Sequence, residues 1–217
     1  MFQSKKNVFW EALLATVLIF SIGLVFGLYV EGIRNDKLNS LFYESEVSLI
    51  DVLSQNMILQ SKDLSCGSLK EVNLQFADRI YYEARILEQY DDSNKITESA
   101  KVIHKKYDLL RTILWMNSIN IKNKCKDVNT IVYLYEYNTE DIGKKAEQVV
   151  WSKILGDLKE KKGSNIILIP IASDQGITSL DYMIVSYNIT KFPVVIINEK
   201  TVIINLQSVE ELEKYLK

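Results

Sequence analysis

Thiol and imidazole chemistry near neutral pH rests on three side chains here: Cys66, Cys125 and the single histidine, His104. The cysteines lie about 60 residues apart, outside any C-x-x-C, the arrangement that lowers a thiol pKa and makes a dithiol reactive. His104 follows Ile103 in a helical pattern, with no second His or Cys at ligand spacing. That marks a surface or boundary residue rather than a metal ligand or a base. No Ser/His/Asp set, P-loop or glycine-rich dinucleotide motif is present. No catalytic residue, metal or cofactor is therefore expected. The two thiols have two readings: a disulfide in an oxidising compartment, or two unpaired buried thiols in a reducing one.

The elements that must place those cysteines are helices. Between Gly32 and Val128 there is no proline and one glycine, Gly67. Leu38, Phe42, Ser45, Leu49, Val52, Asn56 and Leu59 fall on one helical face at alternating four-three spacing. Ser45 and Asn56 weaken that stripe as a long coiled-coil seam. Ser68-Leu69-Lys70-Glu71 has capping-box form and predicts the start of a second helix, with Leu69, Val72, Phe76, Ile80, Ala84 and Leu87 as its apolar stripe and Tyr90 as a candidate last member. Asp91-Asp92-Ser93-Asn94 predicts the next turn. Ile96, Ala100, Ile103, Tyr107, Leu110 and Leu114 then predict a third helix. Short connections favour antiparallel neighbours, so residues 34–127 read as a three-helix hairpin region. Its path carries Cys66 and Cys125 to the same end. A disulfide closing so long a loop contributes on the order of 4 kcal/mol in the chain-entropy model.

Ahead of this region, residues 12–30 carry no formal charge and are rich in Leu, Ile, Val and Phe. They span about 28 Å as a helix, close to the thickness of a bilayer's hydrocarbon core. Phe9, Trp10 and Tyr29 flank the tract as interfacial aromatics. The exit Phe26-Gly27-Leu28-Tyr29-Val30-Glu31 is too bulky for a signal-peptidase site, so residues 1–33 read as a tail and an uncleaved transmembrane helix. Lys5 and Lys6 are balanced in number by Arg34 and Lys37. The short, unopposed positive tail tilts the orientation to a cytoplasmic N-terminus, with the bulk extracytoplasmic. Gly23 and Gly27 form a G-x-x-x-G that offers a homodimer face, the alternative being a lipid-facing pair. The formal net charge of −2 argues against nucleic acid as a partner. Lys159, Lys161 and Lys162 sit among Asp157 and Glu160 and read as a solvated helix end.

Residues 128–217 alternate differently. Residues 130–137 read as a strand. A helix follows over 140–162, with Ala146, Val149, Val150, Ile154 and Leu158 on one side and Gly163 as its stop. Residues 165–171 form a nearly continuous apolar run, the pattern of a central strand covered on both faces. A helix at 177–187, strands at 194–197 and 201–204 joined by Asn198-Glu199-Lys200, and a last helix opened by Ser208-Val209-Glu210-Glu211 complete a β-α-β-α-β-β-α order. This order, over about 90 residues, resembles the thioredoxin fold. The segment Tyr187-Asn188-Ile189-Thr190-Lys191-Phe192-Pro193-Val194-Val195-Ile196-Ile197-Asn198 is similar to the family's stretch in which a proline opens a strand.

The resemblance implies a cis bond between Phe192 and Pro193, with the proline lining a groove; the plainer reading is a trans proline opening an edge strand. It also implies a C-x-x-C after the first strand. In this chain Tyr135-Glu136-Tyr137-Asn138-Thr139-Glu140-Asp141-Ile142 fills that stretch, with Thr139 and Ile142 where the cysteines would stand. Neither side chain forms the thiolate that disulfide exchange needs. The expectation is a membrane-anchored, non-catalytic thioredoxin-like protein, acting as a binding or scaffold module on the extracytoplasmic face. An unidentified protein partner would be held at Asn138, Thr139, Phe192 and Pro193 through backbone pairing. The alternatives are a thiol-disulfide oxidoreductase using Cys66 and Cys125, or a structural subunit of a membrane assembly.

Overall fold

The computed structural model describes residues 5–61, 65–91, 98–125 and 128–216. The chain divides into two compact units, residues 1–44 and 45–217. The first belongs to helix α1, Lys5–Ser61, which runs on past the apolar tract without a break. Every residue from 12 to 30 is exposed, and by length and composition α1 is the one described helix long and apolar enough to cross a membrane. The hydroxyls of Thr16 and Ser21 donate to the carbonyls of Ala12 and Val17, at 2.9 and 2.8 Å, so neither is left unpaired on the apolar surface.

In the second unit α2 (Cys66–Asp91) and α3 (Glu98–Lys124) pack against each other. The Cys66–Cys125 disulfide ties the first residue of α2 to the residue after α3, with Cα atoms 5.5 Å apart, so the two helices run antiparallel. The turn expected at 91–94 lies mostly outside the described residues, as does the side-chain packing of the stripe from Leu38 to Leu59, Phe42 apart. Leu69, Phe76, Ile80 and Ala84 of α2 and Ile103, Tyr107, Leu110 and Leu114 of α3 are buried, as their spacing predicts. The cap of α2 differs from expectation. Ser65, not Ser68, begins the helix, its Oγ accepting the Ser68 N–H at 3.3 Å and its carbonyl the Leu69 N–H at 3.0 Å. Starting three residues earlier draws Cys66 into the first turn, where the disulfide holds it.

Strands β1 (Asn129–Tyr135), β2 (Ile166–Ala172), β3 (Val194–Ile197) and β4 (Thr201–Ile203) form one sheet in the order β2-β1-β3-β4. β2 is parallel to β1; β3 and β4 are antiparallel to their neighbours. One face carries Ile131, Tyr133, Val195, Ile197 and Ile203 against Trp151, Leu155 and Leu158 of α4 (Ile142–Lys162) and Leu212 of α6 (Val209–Glu213). Alternation turns Val132, Leu134, Ile167, Ile169, Ile171, Val194 and Ile196 to the other face, all buried. α3 lies against β2 and against α5 (Thr178–Ser186), and the Trp115 and Tyr187 rings meet at 5.2 Å.

Two expectations need correction. β2 is an edge strand, not a central one. Its apolar run is buried because α2 and α3 on one side and α4 on the other cover it. The expected face of α4 holds only in its second half: Leu158 is buried and Ile154 packs against the core, but Ala146 is exposed, Val149 and Val150 are 69% and 44% exposed, and Trp151 and Leu155 are inside instead. Trp151 is fully buried in the cluster over the sheet. Gly163 ends α4 at φ +55, a conformation that favours glycine.

Candidate functional site

The loop that leaves the carboxyl end of β1 is fixed from three directions. Asp174 accepts the backbone N–H of Tyr137 at 2.9 Å and of Asn138 at 2.6 Å through its two carboxylate oxygens. Gln148 of α4 clamps Glu136, accepting its N–H at 2.8 Å and donating to its carbonyl at 3.0 Å, while Lys144 pairs with the Glu136 carboxylate at 2.7 Å. Asp141 caps α4 by accepting the Lys144 N–H at 3.1 Å. A loop without hydrogen-bonded ladders needs such side-chain partners to hold one shape. His104 of α3 packs its ring 5.0 Å from that of Tyr137, a boundary position as its sequence neighbours imply.

The Phe192–Pro193 peptide is cis, as the resemblance implies. Leu134 pairs with Val194, and one further step of that antiparallel register sets Pro193 beside Tyr135. Pro193 is buried and Phe192 half-buried; Asn138 is exposed and Thr139 half-buried. The two segments therefore sit at the same end of the sheet. Ile142, at the second position of the implied dithiol, is 83% exposed. None of these side chains is a nucleophile at neutral pH, so the loop can present surface and backbone groups but not thiol chemistry.

The opposite end of the sheet holds a polar centre. In the β3–β4 turn Asn198 and Glu199 take φ of +54 and +57. Asn198 Oδ1 accepts from Lys122 Nζ at 2.8 Å and the Thr130 N–H at 3.1 Å; its Nδ2 donates to Asn129 Oδ1 at 3.0 Å and the Tyr215 carbonyl at 3.2 Å. Lys122 also donates to the Val128 carbonyl at 2.7 Å. Burial raises the Glu199 carboxyl above its ordinary range, opposed by the Lys122 ammonium. A second buried carboxylate, Asp108, accepts from Arg111 at 3.0 Å and from the Ala172 N–H at 3.2 Å. Its pKa is raised by burial, which outweighs Arg111. Both centres fasten α3 to the sheet.

Asp174, Gln148, Asn198 and Asp108 carry these arrangements, and sequence reasoning missed all four. A polar residue in a loop or helix reads as solvated until the fold brings a backbone to it. Only Asn198 carried a local signal, as the first residue of a tight turn.

Between α2 and the end of α4 lies a cleft of about 530 Å³, lined by Gly67, Lys70, Asp78, Lys159, Gly163 and Ser164 among others. Lys159 is committed to the carbonyls of Gly163 and Ile166, each at 2.9 Å, and its pKa is lowered by burial. Among the described residues no group of three or more His, Cys, Asp or Glu side chains is placed to hold a metal ion. No family model, no curated protein and no solved structure matches the chain.

Proposed function

We propose that this is a membrane-anchored, non-catalytic thioredoxin-like module that binds a protein partner on the extracytoplasmic face. The observation that carries the reading is the loop from Glu136 to Asp141, held by Asp174 and Gln148 beside Pro193 and carrying no thiol. Loops held rigid on a scaffold are where binding residues concentrate. Asn138 and Thr139 in the loop after β1, with the half-buried Phe192 ahead of β3 and the buried Pro193 behind it, offer an extended segment backbone groups and an apolar contact. The sheet order and the helices on both faces accord with the thioredoxin resemblance. The disulfide accords with an oxidising compartment and so with the outward orientation. Gly23 and Gly27, with nothing within 4 Å of an added Cβ, leave room for a second copy of the helix.

The test is site-specific photo-crosslinking in native membranes. A benzophenone side chain at Thr139 should capture a discrete protein adduct, and one at Lys161, on the far end of α4, should not. Equal capture at both positions, or none at Thr139, rejects the groove. Resistance to alkaline carbonate extraction tests the anchor. Protease digestion of sealed vesicles from one side then reads the orientation.

A further inference from the structure

The two sulfurs of the disulfide are not equivalent. Cys125 is 4% exposed, whereas Cys66 is exposed. Cys66 is the first residue of a helix of 26 residues whose first turn carries no acidic side chain. Its neighbour Gly67 lines the open cleft, and a side chain added there would meet only Ser65 Oγ, at 3.9 Å. Gly163, across the cleft, has nothing within 4 Å of an added Cβ. Of the two disulfide partners, Cys66 is thus the residue open to solvent at the edge of the cleft-lining segment, while Cys125 is buried. In disulfide exchange the reacting sulfur must be reached in line with the bond that breaks, so access decides which sulfur is used. The partial positive charge at a helix N-terminus favours an anionic sulfur placed there, which helps the forward attack, while in reduction the access to the sulfur is what selects it.

We propose that Cys66 is the entry cysteine of this pair, the sulfur through which a disulfide-bearing oxidoreductase makes the bond and a dithiol unmakes it, with Cys125 as the resolving cysteine. In the forward direction the Cys66 thiolate attacks one sulfur of the partner's disulfide. A mixed disulfide forms at Cys66, and the partner's other sulfur leaves as a thiolate. The Cys125 thiolate then attacks Cys66 Sγ and releases the partner's remaining thiolate. The partner's disulfide gains two electrons, the two cysteines lose them, and the two protons of the original thiols pass to the partner's thiolates or to water. Reduction runs the same steps backwards, an external thiolate adding to Cys66 and Cys125 departing as the leaving group. The chain is here the substrate of exchange, which is independent of the partner groove at Thr139 and Pro193.

The experiment uses the full chain in detergent, oxidised and without denaturant. Reduced glutathione is added, the reaction is quenched by alkylation, and the glutathione adduct is mapped by mass spectrometry. The adduct is expected on Cys66, in excess of that on Cys125 by about tenfold or more. A second measurement follows reduced Cys125→Ser and Cys66→Ser chains with an aromatic disulfide probe, where the thiol of the first should react about tenfold faster than that of the second. An adduct predominantly on Cys125, equal labelling of the two, or no adduct on either overturns the proposal. The glutathione arm needs no variant, so a misfolded Ser variant does not shield it.

Discussion

Replacing Asp108 by alanine tests whether α3 and the sheet are held as one body. Asp108 is 2% exposed, its carboxylate 3.0 Å from Arg111 and 3.2 Å from the Ala172 N–H at the end of β2. The alanine leaves a nearly buried guanidinium without its partner and a buried amide without an acceptor. Breaking a buried pair from one side costs ~3–5 kcal/mol. Burial already disfavours the Asp108 charge, so removing it recovers part of that, and the lower end, about 3 kcal/mol, is expected. Asp108→Asn keeps a carbonyl for Ala172 and removes a buried charge, so it should cost only about 1 kcal/mol. Adding Arg111→Met to Asp108→Ala should recover about 1–2 kcal/mol by removing the orphaned cation. Urea titration of the full chain in detergent reads these values through tryptophan fluorescence, with Trp115 reporting α3 and Trp151 reporting α4. Because residues 45–217 form one unit, both tryptophans should lose stability together. A cost below about 1 kcal/mol for Asp108→Ala, or a transition seen by Trp115 alone, refutes the reasoning. The pH dependence follows from the same group. Its folded pKa is raised above the ordinary 3.8, so its favourable contribution is present in full below that value and is lost as pH rises through the folded pKa. From neutral pH down toward about 4, wild type should therefore gain stability relative to Asp108→Asn, which cannot titrate there.

Other outcomes are as direct. Asn198→Ala removes four hydrogen bonds and places alanine at φ +54; about 3–4 kcal/mol should be lost in urea titration, and Asn198→Gly should return about 1 of it by relieving the backbone. Cys125→Ser opens a loop closed over 59 residues and should lower stability by about 2–4 kcal/mol, read as a shift in the urea midpoint that reduction of the wild type reproduces. On α4, Leu155→Ala should cost about 2–5 kcal/mol and Val149→Ala about 0.5 or less by the same titration, and the reverse order would restore the face expected from spacing.

Element types were legible in the sequence because period and punctuation are local. The Ser208–Glu211 capping box forms in both directions, Gly163 ends α4, and the strand 194–197 lies where its apolar run predicts. The disulfide was legible as one of two readings, since antiparallel helices bring both cysteines to one end. What failed depends on neighbours. On α4, Ile154 and Leu158 lie inside as their spacing predicts, but Ala146, Val149 and Val150 fit the helical period as well as Trp151 and Leu155 do, and only the sheet chooses between them. β2 reads as central because burial writes the same apolar run whether a strand or a helix supplies the cover. Around the loop at Asn138 and Thr139, the position was legible by resemblance. Asp174, which shapes it, was not, because its bonds to Tyr137 and Asn138 cross more than 30 residues of chain.

The Cys66–Cys125 bond also makes residues 66–125 a covalent ring within the chain. A single peptide cut inside that ring does not release a fragment. The piece bearing the N-terminal apolar helix and the piece bearing the sheet remain one molecule until the sulfurs are parted. A protein nicked between α2 and α3 would therefore migrate as an intact chain without reductant and as two bands with it. Any release of the sheet-bearing piece from a membrane by such a cut would need both a protease and a thiol.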